Sequence, residues 1–412
     1  GPRLMDYIPL AVPFFLLAIG IEFLYGWIKN KNTYRINDTV ISIFMGSLST
    51  ASKLVLIGVG GAIFYSIETY YALWRMNDSL IITWIFAFVA YDLCYYWFHR
   101  IGHERQIFWA SHVAHHQSEE YNLSTALRQT STSFLLNWIF YVPLFLIGVP
   151  AKVFVSVASI NLIYQFWVHS QHIPKLGWYE HFFVTPSNHR VHHATNEIYV
   201  DKNYGGVFIV WDRIFGTFKE EQEEEPCVYG IRTPIRSFNP LWANLHIYTG
   251  IIKDFFYAKR IKDKFYVFFA RTGWRPEDVK KKFPHSEYNA KTYKKYNPSV
   301  SKAISSYGFF QLIILTVAGV YIVENVTTNY VFNLIYVAML VYTMVATSRW
   351  LEGRSALLME VSRLISLGII GILGFAYIQN IEILYLLSIY MLINIIFLPF
   401  LTRSLDEKYS HG

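Results

Sequence analysis

Charged residues are scarce in this chain: Asp, Glu, Lys and Arg make up 16% of its 412 residues, against about 25% in soluble domains. Hydrophobic residues reach 53% and aromatic residues 18%. This imbalance excludes an ordinary soluble domain and indicates an integral membrane protein. The formal net charge of +7 then reflects basic loops that face anionic lipid. Because there is no compact basic module, we expect no nucleic-acid partner.

Cysteine is almost absent as well, with two residues in the whole chain. Cys94 lies in an apolar run and Cys227 in a polar stretch, so the sequence does not suggest a disulfide framework. No fused cytochrome domain is visible, although a separate electron-carrier protein would leave no trace in this sequence.

Apolar runs that approach the roughly 20 residues needed to cross a bilayer recur along the chain. They predict an all-α, polytopic membrane protein with about nine transmembrane helices and a cytosolic, histidine-rich di-metal cap. The second run is rich in Gly and Ser and is a candidate for a break, and Pro150 predicts a tight hairpin between the fourth and fifth runs. The runs are Ile8–Trp27, Val40–Ser66, Leu80–Phe98, Ser133–Val149, Lys152–Val168, Ser305–Val323, Val331–Ala346, Ala356–Tyr377 and Ile383–Leu401.

Basic residues fall on one side of this nine-span arrangement, with Arg75 and Lys152 as the exceptions. Because Lys and Arg mark cytoplasmic loops, the pattern predicts an outside N-terminus and large loops in the cytosol. The expected divisions are N-terminal transmembrane helices (1–91), a core holding most histidines (92–235), a cytosolic or interfacial segment (236–304) and four C-terminal transmembrane helices (305–412).

Eleven of the fourteen histidines fall between His99 and His193, and eight of them form three patterned groups. The first group has H-x3-H spacing and the other two have H-x2-H-H spacing. Since residues three and four apart share a helix face, each group should present its imidazoles to one point. Imidazole binds iron, zinc and copper, and eight clustered rings are costly to bury without a shared partner. The groups are His99 and His103; His112, His115 and His116; and His189, His192 and His193.

Two metal ions sharing eight or nine ligands is the arrangement that these groups predict. His169 is the ninth candidate because the fifth run ends at Val168, at the depth of His99; an ordinary interfacial histidine explains it equally well. His172 and His181 fit no pattern and are interpreted as surface residues or as neighbours of ligands.

Carboxylates add further candidates. Asp92 lies seven residues before His99 inside a predicted span, where an acid is functional by default. A hydrogen bond to a ligand histidine would explain it. Glu104 follows the first group directly and is expected to do the same or to contact a cofactor, a solvated helix acid being the alternative. Glu360 and Arg363 are three residues apart and are expected to pair.

The three histidine groups, in this order and at these intervals, resemble those of the fatty acid hydroxylase superfamily. That resemblance implies a di-metal site, normally di-iron, that activates oxygen to attack an unactivated C–H bond of a lipid, and it makes 92–235 the catalytic core. One departure is visible. Fatty acid hydroxylases tend to have a second histidine four positions after the one at His169, where this chain has Ile173. A tenth ligand is therefore in doubt.

A longer set of motifs between Asp92 and Gly230 resembles the alkylglycerol monooxygenase family within that superfamily. This resemblance implies a tetrahydrobiopterin-dependent cleavage of 1-O-alkylglycerols and lyso ether lipids. Hydroxylation next to the ether oxygen would yield a fatty aldehyde and a glycerol derivative. The resemblance also implies iron at the eight grouped histidines and His169, and Glu104 as a residue needed for activity. A histidine cage also accepts zinc, which can replace iron on purification. The motifs are Tyr95–Arg100, His115–Gln129, Leu162–Trp167, Thr185–Ser187, Asp201–Gly206 and Trp211–Phe218.

The pterin has no recognisable motif, and the candidate contacts are the polar residues Asn122, Arg128, Gln129 and Asn203 near the histidine groups. The expected partners are the lipid substrate, the bilayer, O2 and a pterin-recycling or electron-donor protein. The expected location is the endoplasmic reticulum membrane for a eukaryotic source.

Two alternatives stay open. One is a cytochrome b5-dependent sterol or fatty acyl hydroxylase or desaturase of the same superfamily. The other is a membrane metal carrier, although carriers place ligands near the bilayer midplane rather than at the ends of spans.

Overall fold

The structure, a computed structural model, describes residues 7–56, 59–325 and 329–410. Every regular element in these ranges is a helix, and strand-like pairing is confined to isolated bridges. This confirms the predicted all-α class. The α-helices are α1 (Ile8–Ile28), α2 (Ile36–Ser52), α3 (Val59–Ser66), α4 (Ile81–Glu104), α5 (Gln106–Ala110), α6 (Val113–His116), α7 (Leu123–Leu127), α8 (Val142–Ile147), α9 (Ala151–Phe166), α10 (Pro186–His192), α11 (Val210–Phe215), α12 (Pro240–Tyr257), α13 (Ile261–Phe269), α14 (Glu277–Lys282), α15 (Lys302–Asn325), α16 (Tyr330–Leu351), α17 (Leu357–Ile378) and α18 (Ile381–Ser410).

Six helices in the described ranges are long and apolar enough to cross a membrane: α1, α4, α15, α16, α17 and α18. Each coincides with a predicted run, which is consistent with a multi-pass membrane protein. α4 has 24 residues and is about 36 Å long, against a hydrocarbon core of about 30 Å. It extends past Phe98, as predicted, and carries His99 and His103 in its last two turns.

The other three predicted runs fall on shorter helices, so the described ranges hold six candidate spans where the sequence indicated about nine. The run Val40–Ser66 is interrupted after Ser52, where α2 ends in a turn. α9 has 16 residues and is about 24 Å long, less than the hydrocarbon thickness. These three runs therefore correspond to shorter apolar helices, because apolar composition alone does not show where a helix ends.

α8 and α9 form the tight hairpin that Pro150 predicted. α8 ends at Ile147 and is capped by Gly148, which has a φ of 93°, and Pro150 then caps α9. A Cβ on Gly148 would lie 1.6 Å from the carbonyl oxygen of Trp74, so only glycine fits there. α9 packs along α4 around Tyr91 and Val153. This packing brings the end of α4, which bears His99 and His103, beside the end of α9, which His169 follows.

Contacts divide the chain into two units. The first contains every candidate metal ligand. In the second, α2 packs on α15 and α16, and a buried ion pair joins Glu360 and Arg363 at 2.7 Å, as their spacing predicted. The first unit consists of Gly1–Tyr34, Gly58–Ile235 and Asn244–Lys294, and the second of Arg35–Ile57, Arg236–Ala243 and Lys295–Gly412.

Candidate metal centre

Nine imidazoles converge in two groups beside the ends of α4 and α9, and they are the nine histidines that the sequence singled out. Within each group, one nitrogen of every ring lies within 4.8 Å of the others. An ion that binds imidazole nitrogens at about 2.1 Å holds opposite ligands about 4.2 Å apart, so each group has the size of one coordination shell. The five-histidine centre consists of His99, His103, His112, His116 and His192, and the four-histidine centre of His115, His169, His189 and His193.

Each H-x2-H-H group is divided between the two centres, whereas the sequence suggested that each group points at one site. His112 and His116 face the five-histidine centre, and His115 faces the four-histidine centre. Residues i and i+4 of a helix point about 40° apart, but i+3 and i+4 point about 100° apart. In the third group, His192 faces the five-histidine centre, and His189 and His193 face the four-histidine centre. The same short helices therefore serve both centres.

The third histidine group is held by a capping box at the start of α10. The Thr185 hydroxyl accepts a bond from the backbone N–H of Asn188 at 3.3 Å, and the Asn188 side chain accepts one from the N–H of Thr185 at 3.2 Å. Pro186 occupies the first helical position, where its missing N–H does no harm. The capping box and Pro186 therefore fix the start of α10 about one turn before His189. This start directs the rings of His189 and His193 toward the four-histidine centre.

Four rings donate through Nδ1–H to backbone carbonyl oxygens. Because a carbonyl oxygen only accepts, the proton of each ring must sit on Nδ1, and Nε2 keeps the lone pair. The Nε2 atoms of His99 and His192 are buried without a hydrogen-bond partner in the described part of the chain. Converging lone pairs of this kind fit a metal ion. The pairs are His99 with Tyr204 (2.6 Å), His115 with Arg128 (2.8 Å), His169 with Gln165 (2.7 Å) and His192 with Lys202 (2.9 Å).

Burial keeps these rings neutral. It lowers the pKa of His115 to about 4. Burial also holds the pKa values of His112, His116 and His189 well below their ordinary range, and repulsion between neighbouring rings adds to the effect at these three. Neutral imidazole is the form that binds a metal. At neutral pH, protons therefore compete weakly for these nitrogens, and the two centres fit two metal ions.

A sequence model of the fatty acid hydroxylase family matches residues 84–217, which include all nine histidines. Human alkylglycerol monooxygenase is 42% identical over 272 residues, covering 66% of this chain and 60% of that protein. The Xenopus tropicalis alkylglycerol monooxygenase is 35% identical over 320 residues, covering 77% of this chain and 71% of that protein. The chain belongs to the alkylglycerol monooxygenase family.

More distant relatives match a smaller part of this chain. Human lathosterol oxidase is 26% identical over 171 residues, covering 38% of this chain and 50% of that protein. The chain spans 60% of the length of the human and zebrafish alkylglycerol monooxygenases that it matches. No solved structure gives a significant match.

Glu104 lies at the rim of the five-histidine centre. Its Oε1 lies 3.3 Å from the Arg100 Nε and 3.5 Å from the Tyr204 hydroxyl, which both donate to it. The Tyr204 ring contacts the rings of His99 and His103, with centroids 5.9 and 5.5 Å away. Glu104 therefore reaches the centre through Tyr204, and its hydrogen bonds in the described residues do not include a histidine.

Asp92 is fully buried, but the predicted bond to a ligand histidine is not among its contacts in the described residues. The carboxylate instead anchors the segment that follows Tyr204, whose carbonyl oxygen orients His99. Asp92 thus acts on the centre through the backbone. Its four donors are the Asn161 amide (2.8 Å), the Val207 and Phe208 N–H groups (2.9 Å each) and the Trp211 indole (2.9 Å).

The four candidate pterin contacts have polar groups engaged in local structure. Asn122, Arg128 and Asn203 are buried, and Gln129 is exposed. They shape the chain around the histidines, so a pterin contact by any of them stays a prediction. Asn122 caps α7 and donates to the Thr33 carbonyl, Arg128 donates to the Ala114 carbonyl and the Gln117 side chain, Gln129 donates to the Ala126 carbonyl, and Asn203 donates to the Asn188 and Lys219 carbonyls.

Sequence reasoning missed Tyr204 and Asp212. The Asp212 carboxylate accepts bonds from the N–H groups of Tyr204 and Gly205 at 2.7 and 2.9 Å and from the Thr217 hydroxyl at 2.7 Å. Burial raises the pKa of Asp212 to about 6. Both residues lie in motifs that carry the family resemblance, which was the available signal. No spacing rule, however, links His99 to a carbonyl oxygen 105 residues away.

Proposed function

We propose that this protein is a tetrahydrobiopterin-dependent di-iron monooxygenase of ether lipids. The observation that carries the proposal is the pair of histidine centres beside the end of a membrane-spanning helix, in a chain of the alkylglycerol monooxygenase family. Imidazole suits iron, and the family resemblance implies it. Zinc satisfies the same ligands, so the metal found after purification need not be the native one.

The proposed reaction inserts one oxygen atom into a C–H bond on the carbon next to the ether oxygen of a 1-O-alkylglycerol or lyso ether lipid. The second oxygen atom of O2 leaves as water, and tetrahydrobiopterin supplies two electrons and is oxidised. The resulting hemiacetal breaks its bond to the glycerol oxygen and releases a fatty aldehyde and a glycerol derivative. Two bound iron ions would supply the oxygen activation.

The chain's own residues hold, orient and shield this chemistry. Carbonyl oxygens such as those of Tyr204 and Arg128 fix the rings of His99 and His115 with their Nε2 atoms inward. Burial of the rings keeps bulk water away from the reacting atoms. At the end of α4, an ether headgroup can meet the centres while its alkyl chain stays in the apolar phase. Glu104 at the rim is proposed to contact the headgroup or the pterin.

We propose that the centres face the cytosol, at the endoplasmic reticulum membrane for a eukaryotic source. Lys29 and Lys31 directly follow α1, and basic residues are concentrated in the loops after α4 and α9. Loops of this kind remain on the cytoplasmic side. A pterin-recycling or electron-donor partner would then approach from the same compartment.

The test is fatty aldehyde release from a 1-O-alkylglycerol by the purified, iron-loaded chain. Release should require tetrahydrobiopterin, vanish in His115→Ala, and persist in His181→Ala, which changes an exposed histidine outside both centres. Turnover of sterols or fatty acyl lipids with reduced cytochrome b5, and none of ether lipids, would favour the superfamily alternative. Bound metal without lipid-dependent oxygen consumption would favour a metal carrier.

A further inference from the structure

A helical hairpin outside the metal centres exposes a continuous apolar face. On α13, Ile261, Phe265 and Phe269 recur at every fourth position and are 72%, 62% and 62% exposed. On α12, Ile252 and Phe256 have the same spacing and are 51% and 72% exposed. Single exposed apolar residues are ordinary, but a face of large side chains marks an interaction site. We call residues 244–269 the α12–α13 hairpin.

The opposite face of the α12–α13 hairpin is buried against the protein. Ile251 and Val267 form a core cluster with Ala110 of α5, and Phe255 and Phe268 pack around it. α5 links the first histidine group to the second. The hairpin is therefore fixed to the connection between two sets of candidate ligands, and its outer face is an ordered surface.

Hydrogen bonds join the end of α13 to the end of α4, so the two helix ends lie at the same depth. The N–H of Gln106 donates to the carbonyl oxygen of Ala270 at 3.0 Å. Thr272 donates through its N–H to the Glu104 carbonyl at 3.0 Å and through its hydroxyl to the His103 carbonyl at 2.6 Å. Because α4 is long and apolar enough to cross the membrane and ends at Glu104, these bonds assign the end of α13 to the membrane boundary. A short helix with an apolar face at that depth lies in the plane of the lipid surface.

Basic residues border the apolar face. Lys259, Arg260 and Lys262 are exposed, and α14 adds three more lysines. A surface of this kind fits an anionic membrane, because the apolar side chains bury among the acyl chains and the anionic headgroups attract each nearby Lys or Arg. A symmetric contact with a second copy of this chain would instead bring like charges together. Across 253–264 the basic residues are Lys253, Lys259, Arg260, Lys262 and Lys264, and the acidic ones are Asp254 and Asp263.

We propose that the α12–α13 hairpin is an in-plane anchor that docks on anionic phospholipid headgroups. Ile261, Phe265 and Phe269 insert below the headgroups, and the bordering cations pair with them. Because the buried face of the hairpin holds α5 and the end of α4, docking sets the depth of the metal centres relative to the lipid surface. This inference does not depend on the proposed reaction.

Fluorescent labels on the full chain in lipid nanodiscs test the insertion. A label at Phe265→Cys should be quenched by brominated lipid chains and shielded from aqueous iodide, and a label at Glu224→Cys, in an exposed polar loop, should behave in the opposite way. The labelled wild-type chain corrects for Cys94 and Cys227. Phe269→Cys reads the same face if Phe265→Cys does not accumulate. Iodide quenching at 265 equal to that at 224 would overturn the proposal, as would self-quenching between paired chains with no lipid quenching.

A second measurement tests the choice of lipid. The label at 265 should be quenched several-fold more by a quencher on a phosphatidylglycerol headgroup than by the same quencher on phosphatidylcholine. Each basic residue at the surface favours anionic lipid by about fivefold. The triple variant Lys259→Gln/Arg260→Gln/Lys262→Gln should lose most of this preference and keep the quenching by brominated chains, and Lys291→Gln should keep both. A triple variant with undiminished preference would exclude the anionic contact.

Discussion

His115 and His169 turn their Nε2 atoms toward each other at 3.3 Å, although neither ring has a proton to share there. The Nδ1–H of each ring is already engaged, with the carbonyl oxygens of Arg128 and Gln165. Two facing lone pairs repel unless a cation lies between them, and burial disfavours protonation of either ring. The four-histidine centre therefore has the electrostatics of a metal site as well as its dimensions.

Replacing one histidine of a centre should release the metal ion of that centre and leave the ion of the other centre bound. We expect about two ions per chain in the wild type, and about one in both His112→Ala and His189→Ala, because these rings belong to separate centres. Elemental analysis of the monodisperse protein after gel filtration measures this. His181→Ala, outside both centres, should keep two. Loss of both ions from either folded variant would show that the two groups do not bind independently.

The histidine set was predictable because its spacing is local, and the division between two centres was not. H-x2-H-H shows that rings share a helix face, but only packing decides that His115 faces His169 from the end of α9. The anchoring of His99 by Tyr204 and Asp92 was likewise hidden, since it joins distant segments through backbone groups. Helix α4 was predictable from its apolar length. The short α9 was harder to predict, because composition does not show where a helix stops.

Acid should destabilise the metal-free protein. Well above pH 6.5 the nine clustered histidines are neutral in the folded and the unfolded chain, so pH has little effect on stability through them. Below pH 6.5 the unfolded chain binds protons, whereas burial lowers the pKa of His115 in the folded chain to about 4. Stability should therefore fall between pH 6.5 and 4, by up to about 3 kcal/mol for this ring. Thermal unfolding of chelator-treated protein at pH 7.5, 6 and 5 measures the effect. A slope that is unchanged in His115→Gln would contradict it.

Gly206→Ala should disturb the five-histidine centre from a distance. A Cβ at Gly206 would lie 2.9 Å from the Asp92 Oδ1 and 2.9 Å from the Tyr95 ring, too close for a methyl group in a packed site. The segment would shift, and with it the Tyr204 carbonyl that orients His99. We expect metal affinity at this centre to fall about 10- to 100-fold, the range typical of lost support to a ligand.

The matched control for that variant is Gly102→Ala, which lies on α4 between the two histidines of the first group. The nearest atom to a Cβ there is 3.9 Å away, and alanine favours helix more than glycine. Gly102→Ala should therefore keep its metal and lose no stability. Competition with a chelator of known affinity measures both variants, and equal retention by the two would show that the 204–208 segment does not position His99.

The second unit offers a test of buried charge within its own helices. The carboxylate of Glu360 pairs with Arg363 and also accepts bonds from the Tyr307 hydroxyl at 2.6 Å and the Trp350 indole at 3.1 Å. Arg363→Met would leave this buried carboxylate without its cation, which typically costs about 3–5 kcal/mol. Glu360→Gln/Arg363→Met removes both charges and should recover much of that loss. Arg403→Met changes an exposed arginine of the same unit and should leave the melting temperature in detergent unchanged. If the double variant is no more stable than Arg363→Met, packing of the arginine side chain, rather than its charge, stabilises these helices.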